Sequence, residues 1–290
     1  MNDTPQIAVI GPGAIAEAII SGLIRKKVTI PENIIAAGPR QERLDELIHR
    51  YLIRGMVNNS EAAASASVIV ISVKPQRLDV VLRGLRGHLK PDALILSVVA
   101  GATIARISTV LGHNSIVRSM PNTPAQIGQG ITVWTASPEV TPEQRDVAGK
   151  ILSAMGEDVF MEEEYYLDMA TALSGTGPAY VFLFMEAMVD AGVHLGFPRR
   201  IAEQLVAQTM LGSVNYYKQK HNESGESAHI ANLRNQVTSP GGTSAAALYY
   251  LEKAGFRTAI SRAVWAAFER SQELGKDKKV KMPDPSSPQD

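Results

Sequence analysis

The sequence predicts an α/β chain: a doubly wound sheet over residues 1–161, then an all-α region over residues 162–275. Three observations carry this. Short runs of β-branched and small apolar residues recur through the first half, with helical spacing between them. The first run, Ile7-Ala8-Val9-Ile10, passes through two glycines into a helix-spaced pattern. Near residue 160 the strand signals stop, and helical periodicity takes over.

The first strand and helix set the terms for the rest. Ile15, Ala18, Ile19 and Gly22 follow the glycines at helical spacing, so strand, glycine turn and helix form half of a βαβ unit. In Gly11-Pro12-Gly13-Ala14-Ile15-Ala16, Gly11 allows the tight turn and Gly13 lets phosphates approach the backbone. Ala16 is small enough for the helix to pack on the strand. Bare N–H groups at such a helix start suit a pyrophosphate, which makes this a Rossmann-type dinucleotide site. An ordinary strand-to-helix turn is the alternative; the strand before and the helix after weigh against it.

A second strand is expected over residues 33–38, followed by a charged helix over 41–50. NAD sites commonly carry an Asp or Glu where this strand ends. Here Gly38-Pro39-Arg40 stands instead, and a guanidinium without a carboxylate suits a 2′-phosphate. NADP is therefore preferred, with NAD possible, unless Arg40 only starts a solvated helix. Residues 61–67 read as a short helix, and 68–73 as a buried strand running into Lys74-Pro75-Gln76. Further strands are expected at 93–99, 116–120, 130–134 and 156–161. Ligands bind outside the carboxyl ends of such strands. Val73-Lys74-Pro75, Val99-Ala100-Gly101 and Met120-Pro121-Asn122 are thus candidate cofactor contacts. Thr141, Pro142 and Gln144 spell a capping box and N1 proline for a helix between 138 and 155.

In the second half, residues 167–173 read as a helix, and Ser174-Gly175-Thr176-Gly177-Pro178 as a break that starts another. Residues 180–195 are apolar almost all round, which implies deep burial or another subunit. A helix at 201–217, a polar loop at 218–228 and helices at 245–253 and 256–274 follow. The tail, 276–290, is charged and proline-rich and is expected to be disordered. Thr238-Ser239-Pro240-Gly241-Gly242-Thr243-Ser244 makes a nest of N–H donors with hydroxyl neighbours at a helix start, suited to a small carboxylate. A plain helix start explains the same residues equally well. The run Glu162-Glu163-Glu164 reads as solvated charge, unless one member turns inward to a cationic substrate.

Composition narrows the function classes. Basic and acidic residues number 29 each, so bulk charge recruits neither nucleic acid nor an anionic membrane. The absence of cysteine removes disulfides and thiolate metal sites and fits a cytoplasmic protein. The polar start Met1-Asn2-Asp3-Thr4-Pro5 lacks the features of a signal peptide. Six scattered histidines form no metal-binding spacing.

These motifs together resemble the pyrroline-5-carboxylate reductase family. The likeness runs from Ile7 to Leu274. Its specific parts are Arg118-Ser119-Met120-Pro121-Asn122-Thr123-Pro124, Leu173 to Tyr180, and Val237-Thr238-Ser239-Pro240-Gly241-Gly242-Thr243. The resemblance implies a Rossmann domain followed by an all-α dimerisation domain, a homodimer, and in many members a ring of dimers. It implies hydride transfer from NAD(P)H to 1-pyrroline-5-carboxylate, the last step of proline biosynthesis. Cofactor contacts would fall on Gly11, Pro12, Gly13, Ala14, Ile15, Ala16, Gly38, Pro39, Arg40, Asn59, Val73, Lys74, Pro75, Val98, Val99 and Ala100. The substrate would meet Glu164, Ser239, Gly242, Thr243 and Ser244, with the Ser244 hydroxyl the candidate catalytic group bonding the ring nitrogen. Ser244 stands where the family usually has Thr, Asn235 where Asp is common, and Ile230 where Pro is frequent. These departures bear on substrate preference. A reductase of another cyclic imine, and a nucleotide-binding regulator without turnover, are the remaining readings.

Overall fold

The computed structural model describes residues 4–223 and 229–275. The expected tail, 276–290, and residues 224–228 of the expected polar loop lie outside the described residues. Two compact units divide the chain, one built from residues up to 178 and from 266 onward, the other from 179–265. The change from strands to helices falls after Phe160, near the expected border at 161. The compact units divide later, because residues 162–178 pack with the sheet: Leu167 and Ala172 are buried there.

The first unit holds eight strands: β1 (Ile7–Ile10), β2 (Ile34–Ala37), β3 (Arg54–Met56), β4 (Val68–Ile71), β5 (Leu94–Ser97), β6 (Ile116–Met120), β7 (Gly130–Ala136) and β8 (Gly156–Phe160). Their order is β3-β2-β1-β4-β5-β6-β7-β8, parallel throughout except for the antiparallel pair β6–β7. Alternation along the strands builds two cores. Ile7, Val9, Ile34, Ala36, Val68 and Val70 join one layer; Ala8, Ile10, Ile35, Ala37, Ile69 and Ile71 join the other. Strands buried on both faces read as unbroken apolar runs, which is why the sequence displayed them. The chain runs from β1 outward to β3, then returns beside β1 as β4. That reversal places the switch point, and its crevice, between the ends of β1 and β4.

The helices of this unit are α1 (Ala14–Arg25), α2 (Gln41–Tyr51), α3 (Asn59–Ser65), α4 (Leu78–Leu85), α5 (Ile104–Leu111), α6 (Pro142–Ser153) and α7 (Tyr166–Ala170). The capping box of α6 is formed: Thr141 accepts from Gln144 N–H while the Gln144 side chain accepts from Thr141 N–H. Three elements here were not anticipated. β3 has three residues and a glycine, and α4 and α5 have eight residues each, too few to declare a period.

After α7 the chain does not break at Ser174–Pro178. It widens into a π-helical turn at Thr171–Gly175 and continues into α8 (Gly177–His194). The hydroxyls of Ser174 and Thr176 bond back to the Ala170 and Thr171 carbonyls, so the helix absorbs the motif. Tyr166–His194 is thereby one helical stretch, long and apolar enough by length and composition to cross a membrane, with a mean hydropathy of 1.2. The second unit continues with α9 (Arg199–Glu223), the unanticipated α10 (Ile230–Gln236), α11 (Thr243–Lys253) and α12 (Phe256–Gly275), whose second half belongs to the first unit. The expected loop from 218 is helical to 223, since Lys, Gln and Glu favour helices and polarity alone does not end one. Among the described residues of this unit, Val189, Ala202 and Val206 form the buried cluster.

Candidate functional site

A cleft of about 730 Å³ opens at the switch point. Its centre is the glycine turn. Gly11 has φ +93°, and a Cβ there would sit 2.6 Å from Val73 Cγ1 and 3.0 Å from Val73 N, so both conformation and space require glycine. Gly13 caps α1 without a side-chain bond, and nothing lies within 4 Å of its open side. The first N–H groups of α1 therefore face an approachable surface, as an anion needs. The Ser72 hydroxyl donates to the Gly11 carbonyl at 2.7 Å and steadies the turn from β4. Ala16 is fully buried beneath it.

Of the expected cofactor residues, Gly11, Pro12, Gly13, Gly38, Pro39, Arg40, Asn59, Val73 and Lys74 line this cleft. Ala14, Ile15, Ala16 and Pro75 lie beside them in the chain without lining it. Val98, Val99 and Ala100 follow β5 and are not part of its wall. Gly38 packs tightly: a Cβ would meet the Pro12 ring at 2.6 Å. Arg40, Lys74 and the unanticipated Arg77 reach the cleft, and none has an ion-pair partner among the described residues. The Asn59 side-chain oxygen is buried without a hydrogen-bond partner among the described residues, a lining atom ready to accept from a ligand. The open turn and the cations fit the phosphates of a dinucleotide, and the Asn59 acceptor fits one of its hydroxyl or amino donors.

Glu164, the inward-turning member of its acidic run, accepts from the Ile104 N–H at 2.8 Å and from Arg118 Nη1 at 2.9 Å, both on Oε1. Arg118 is 3% exposed and also donates to Asp168 at 3.0 Å, which in turn accepts from the Ser271 hydroxyl. The cluster joins β6, α5, α7 and α12. Asn122, after β6, is engaged as well: its Oδ1 accepts from the Ile131 N–H.

In the second unit Gly241 and Gly242 lead into the start of α11, as both the nest and the plain helix start require. Gly241 has φ +70°, and Gly242 N–H donates to the Ser239 carbonyl at 3.0 Å. Gly242 is the N-cap and provides no side-chain bond, which leaves the N–H groups of Thr243 and Ser244 open. Thr238 bonds back to the Arg234 carbonyl at 2.7 Å, so it braces the loop. Ser239 and Thr243 are exposed and Ser244 is half-buried.

Comparison with known proteins matches both units. A family model described as pyrroline-5-carboxylate reductase dimerisation covers residues 164–274, and one described as NADP oxidoreductase, coenzyme F420-dependent, covers residues 6–101. The pyrroline-5-carboxylate reductase of a Synechocystis strain is 44% identical over 93% of this chain and 98% of its own. The chain belongs to the pyrroline-5-carboxylate reductase family. Among solved structures, the family member from Coxiella burnetii superposes with a TM-score of 0.85 at 34% identity, covering 94% of this chain and all of the other. The Plasmodium falciparum reductase, solved with NADP bound, gives 0.84 at 31%, covering 94% and 99%.

Family membership came from motifs, yet three site residues escaped the sequence reading: Ser72, Arg77 and Arg118. A signal existed for Arg118 and Ser72. Each is polar within or at the end of an apolar strand, where a polar group must be paired. No such signal marked Arg77 among the other exposed arginines.

Proposed function

We propose that the chain reduces 1-pyrroline-5-carboxylate to L-proline, the last step of proline biosynthesis, with NADPH as hydride donor. The observation that carries this is the near full-length identity to curated reductases of that name. The open glycine turn and its cleft supply the physical support. When bound, NADPH supplies the hydride. Everything else falls to this chain's residues. The backbone of Gly11 to Ala14 holds the pyrophosphate, and Arg40 takes the 2′-phosphate. NADPH is favoured over NADH because Gly38-Pro39-Arg40 follows β2 without a carboxylate, and Arg40 has no ion-pair partner among the described residues.

The substrate carboxylate accepts from the N–H groups of Thr243 and Ser244 and from the Ser239 and Thr243 hydroxyls. A protonated imine is already electrophilic, so no covalent nucleophile is needed, and the Ser244 hydroxyl orients the ring through its nitrogen. Oε2 of Glu164, the oxygen left over from the Arg118 pair, is the group we assign to the cationic ring. Holding donor and acceptor in one geometry is worth on the order of 7 kcal/mol in favourable cases. The working form is a homodimer through the second unit.

The test is an assay of NADPH absorbance with the purified chain and 1-pyrroline-5-carboxylate. Imine-dependent oxidation of NADPH with proline as product is expected. Higher kcat/KM for a six-membered-ring imine would reassign the substrate. Binding of NADPH without turnover on either imine would make the chain a regulator.

A further inference from the structure

Glu17 stands in the first turn of α1, directly after the glycine turn. A carboxylate there competes with a pyrophosphate for the positive end of the helix and repels it. Side chains of α2 surround it. Arg43 pairs with Oε2 and Arg50 with Oε1, and the Tyr51 hydroxyl donates to Oε1 at 2.9 Å. Arg43 does more than pair. Its Nε donates to the Pro12 carbonyl at 3.1 Å, inside the turn that would hold the phosphates, and Nη1 pairs with Glu46 at 2.7 Å. The Glu17 and Arg43 side chains are each 20% exposed, so water screens this pair less than a surface ion pair. Arg40, three residues earlier, lines the cleft and has no ion-pair partner among the described residues. Two arginines on the same stretch thus divide the work.

We infer that Arg43 is a positioning residue for cofactor binding: it cancels the Glu17 charge and fixes the Pro12 carbonyl, so that the start of α1 presents a positive field to the pyrophosphate. This rests on the reading of the cleft as a dinucleotide site. The alternative is that the cluster merely ties α1 to α2.

The experiment is a fluorescence titration of NADPH, at low and high salt, against the wild-type chain, Arg43→Ala, Glu17→Gln and the double variant. Arg43→Ala is expected to raise Kd about five- to tenfold at low salt, with the deficit shrinking as salt rises. Glu17→Gln should stay within about twofold of wild type, and the double variant should regain most of the lost affinity, because the repelling charge is gone and only the Pro12 contact stays missing. A merely structural tie predicts the opposite, since the double variant loses the same contacts. A double variant as weak as Arg43→Ala, or an Arg43→Ala chain that binds normally, overturns the inference. If Arg43→Ala does not fold, Arg43→Gln carries the same expectations. A wild-type chain that binds no NADPH sinks the cofactor reading itself, which is a separate result.

Discussion

At the scale of single residues, the cofactor and substrate sites make separable predictions. Arg40→Glu removes a phosphate partner and adds a like charge. It should raise Kd for NADPH about tenfold or more and that for NADH far less. Equal effects on both cofactors would show that Arg40 is a solvated helix residue. In the nest, Ser239→Ala should chiefly raise KM, since a contact to the carboxylate persists from ground state to transition state. Ser244→Ala should lower kcat as well, if its hydroxyl orients the imine as proposed. A lost hydrogen bond to a charged group is worth about 1.5–3 kcal/mol, or roughly ten- to a hundredfold. Gly242→Val should be worse than either: a Cβ there lies 3.2 Å from the Ser239 carbonyl oxygen and 3.5 Å from Ser239 Cβ. Unchanged steady-state constants in all three would reduce the nest to a helix start. The glycines were legible in the sequence because their role is local, a turn and an approach. Arg43 was not, since its partner Pro12 lies 31 residues away; Ser72 stood out only as a polar residue ending an apolar strand, without its partner Gly11, 61 residues away.

At the scale of elements, what the sequence disclosed depends on length and burial. β1, β2, β4 and β5 are four-residue strands buried on both faces, and their apolar runs stand out. β3, half exposed at the sheet edge, does not. Capping chemistry is local too, which is why α6 could be read to the residue. Thr141→Ala should cost about 1 kcal/mol of stability, read as a lower urea midpoint with an unchanged m-value. No shift would mean that the fold tolerates an uncapped α6. The Glu17 cluster, joining α1 to α2, adds a pH dependence. Burial raises the Glu17 carboxyl's pKa, but hydrogen bonds from Arg43 and Tyr51 outweigh it and bring it below its ordinary value. The folded pKa then lies below the unfolded one. The stabilisation is therefore present at neutral pH and fades as pH falls through the carboxylate range, below about pH 4. The Tm gap between wild type and Glu17→Gln should accordingly shrink on acidification. A gap that stays constant across that range would remove Glu17 from the acid response.

At the scale of the whole molecule, the second unit cannot be stable as a free surface. Among its described residues the buried cluster is Val189, Ala202 and Val206, far short of what a unit of this length needs for a core. Meanwhile Phe182 is 61% exposed, Leu183 67%, Tyr249 62%, Tyr250 70% and Trp265 63%. The sequence could state that residues 180–195 must be covered, but not by what. Within the single chain they are not deeply buried, so the cover is another surface. Each large apolar side chain left in water forgoes about 1.5–3 kcal/mol, and several together exceed what a marginally stable unit can lose. The match of residues 164–274 to a dimerisation family makes a second copy the natural cover, and apolar contact of this kind is typical of obligate dimers. Light scattering at micromolar concentration should therefore give a dimer or a multiple of one, without a folded monomer in exchange. Leu183→Asp should place a charge in the covered face and lower both the apparent mass and the Tm, and activity should fall with them. NADPH titration separates this from damage to the cofactor site, because the glycine turn belongs to the first unit and its affinity should survive. A wild-type monomer with full activity, or a Leu183→Asp chain that keeps wild-type mass and Tm, would mean that this apolar face has a different use.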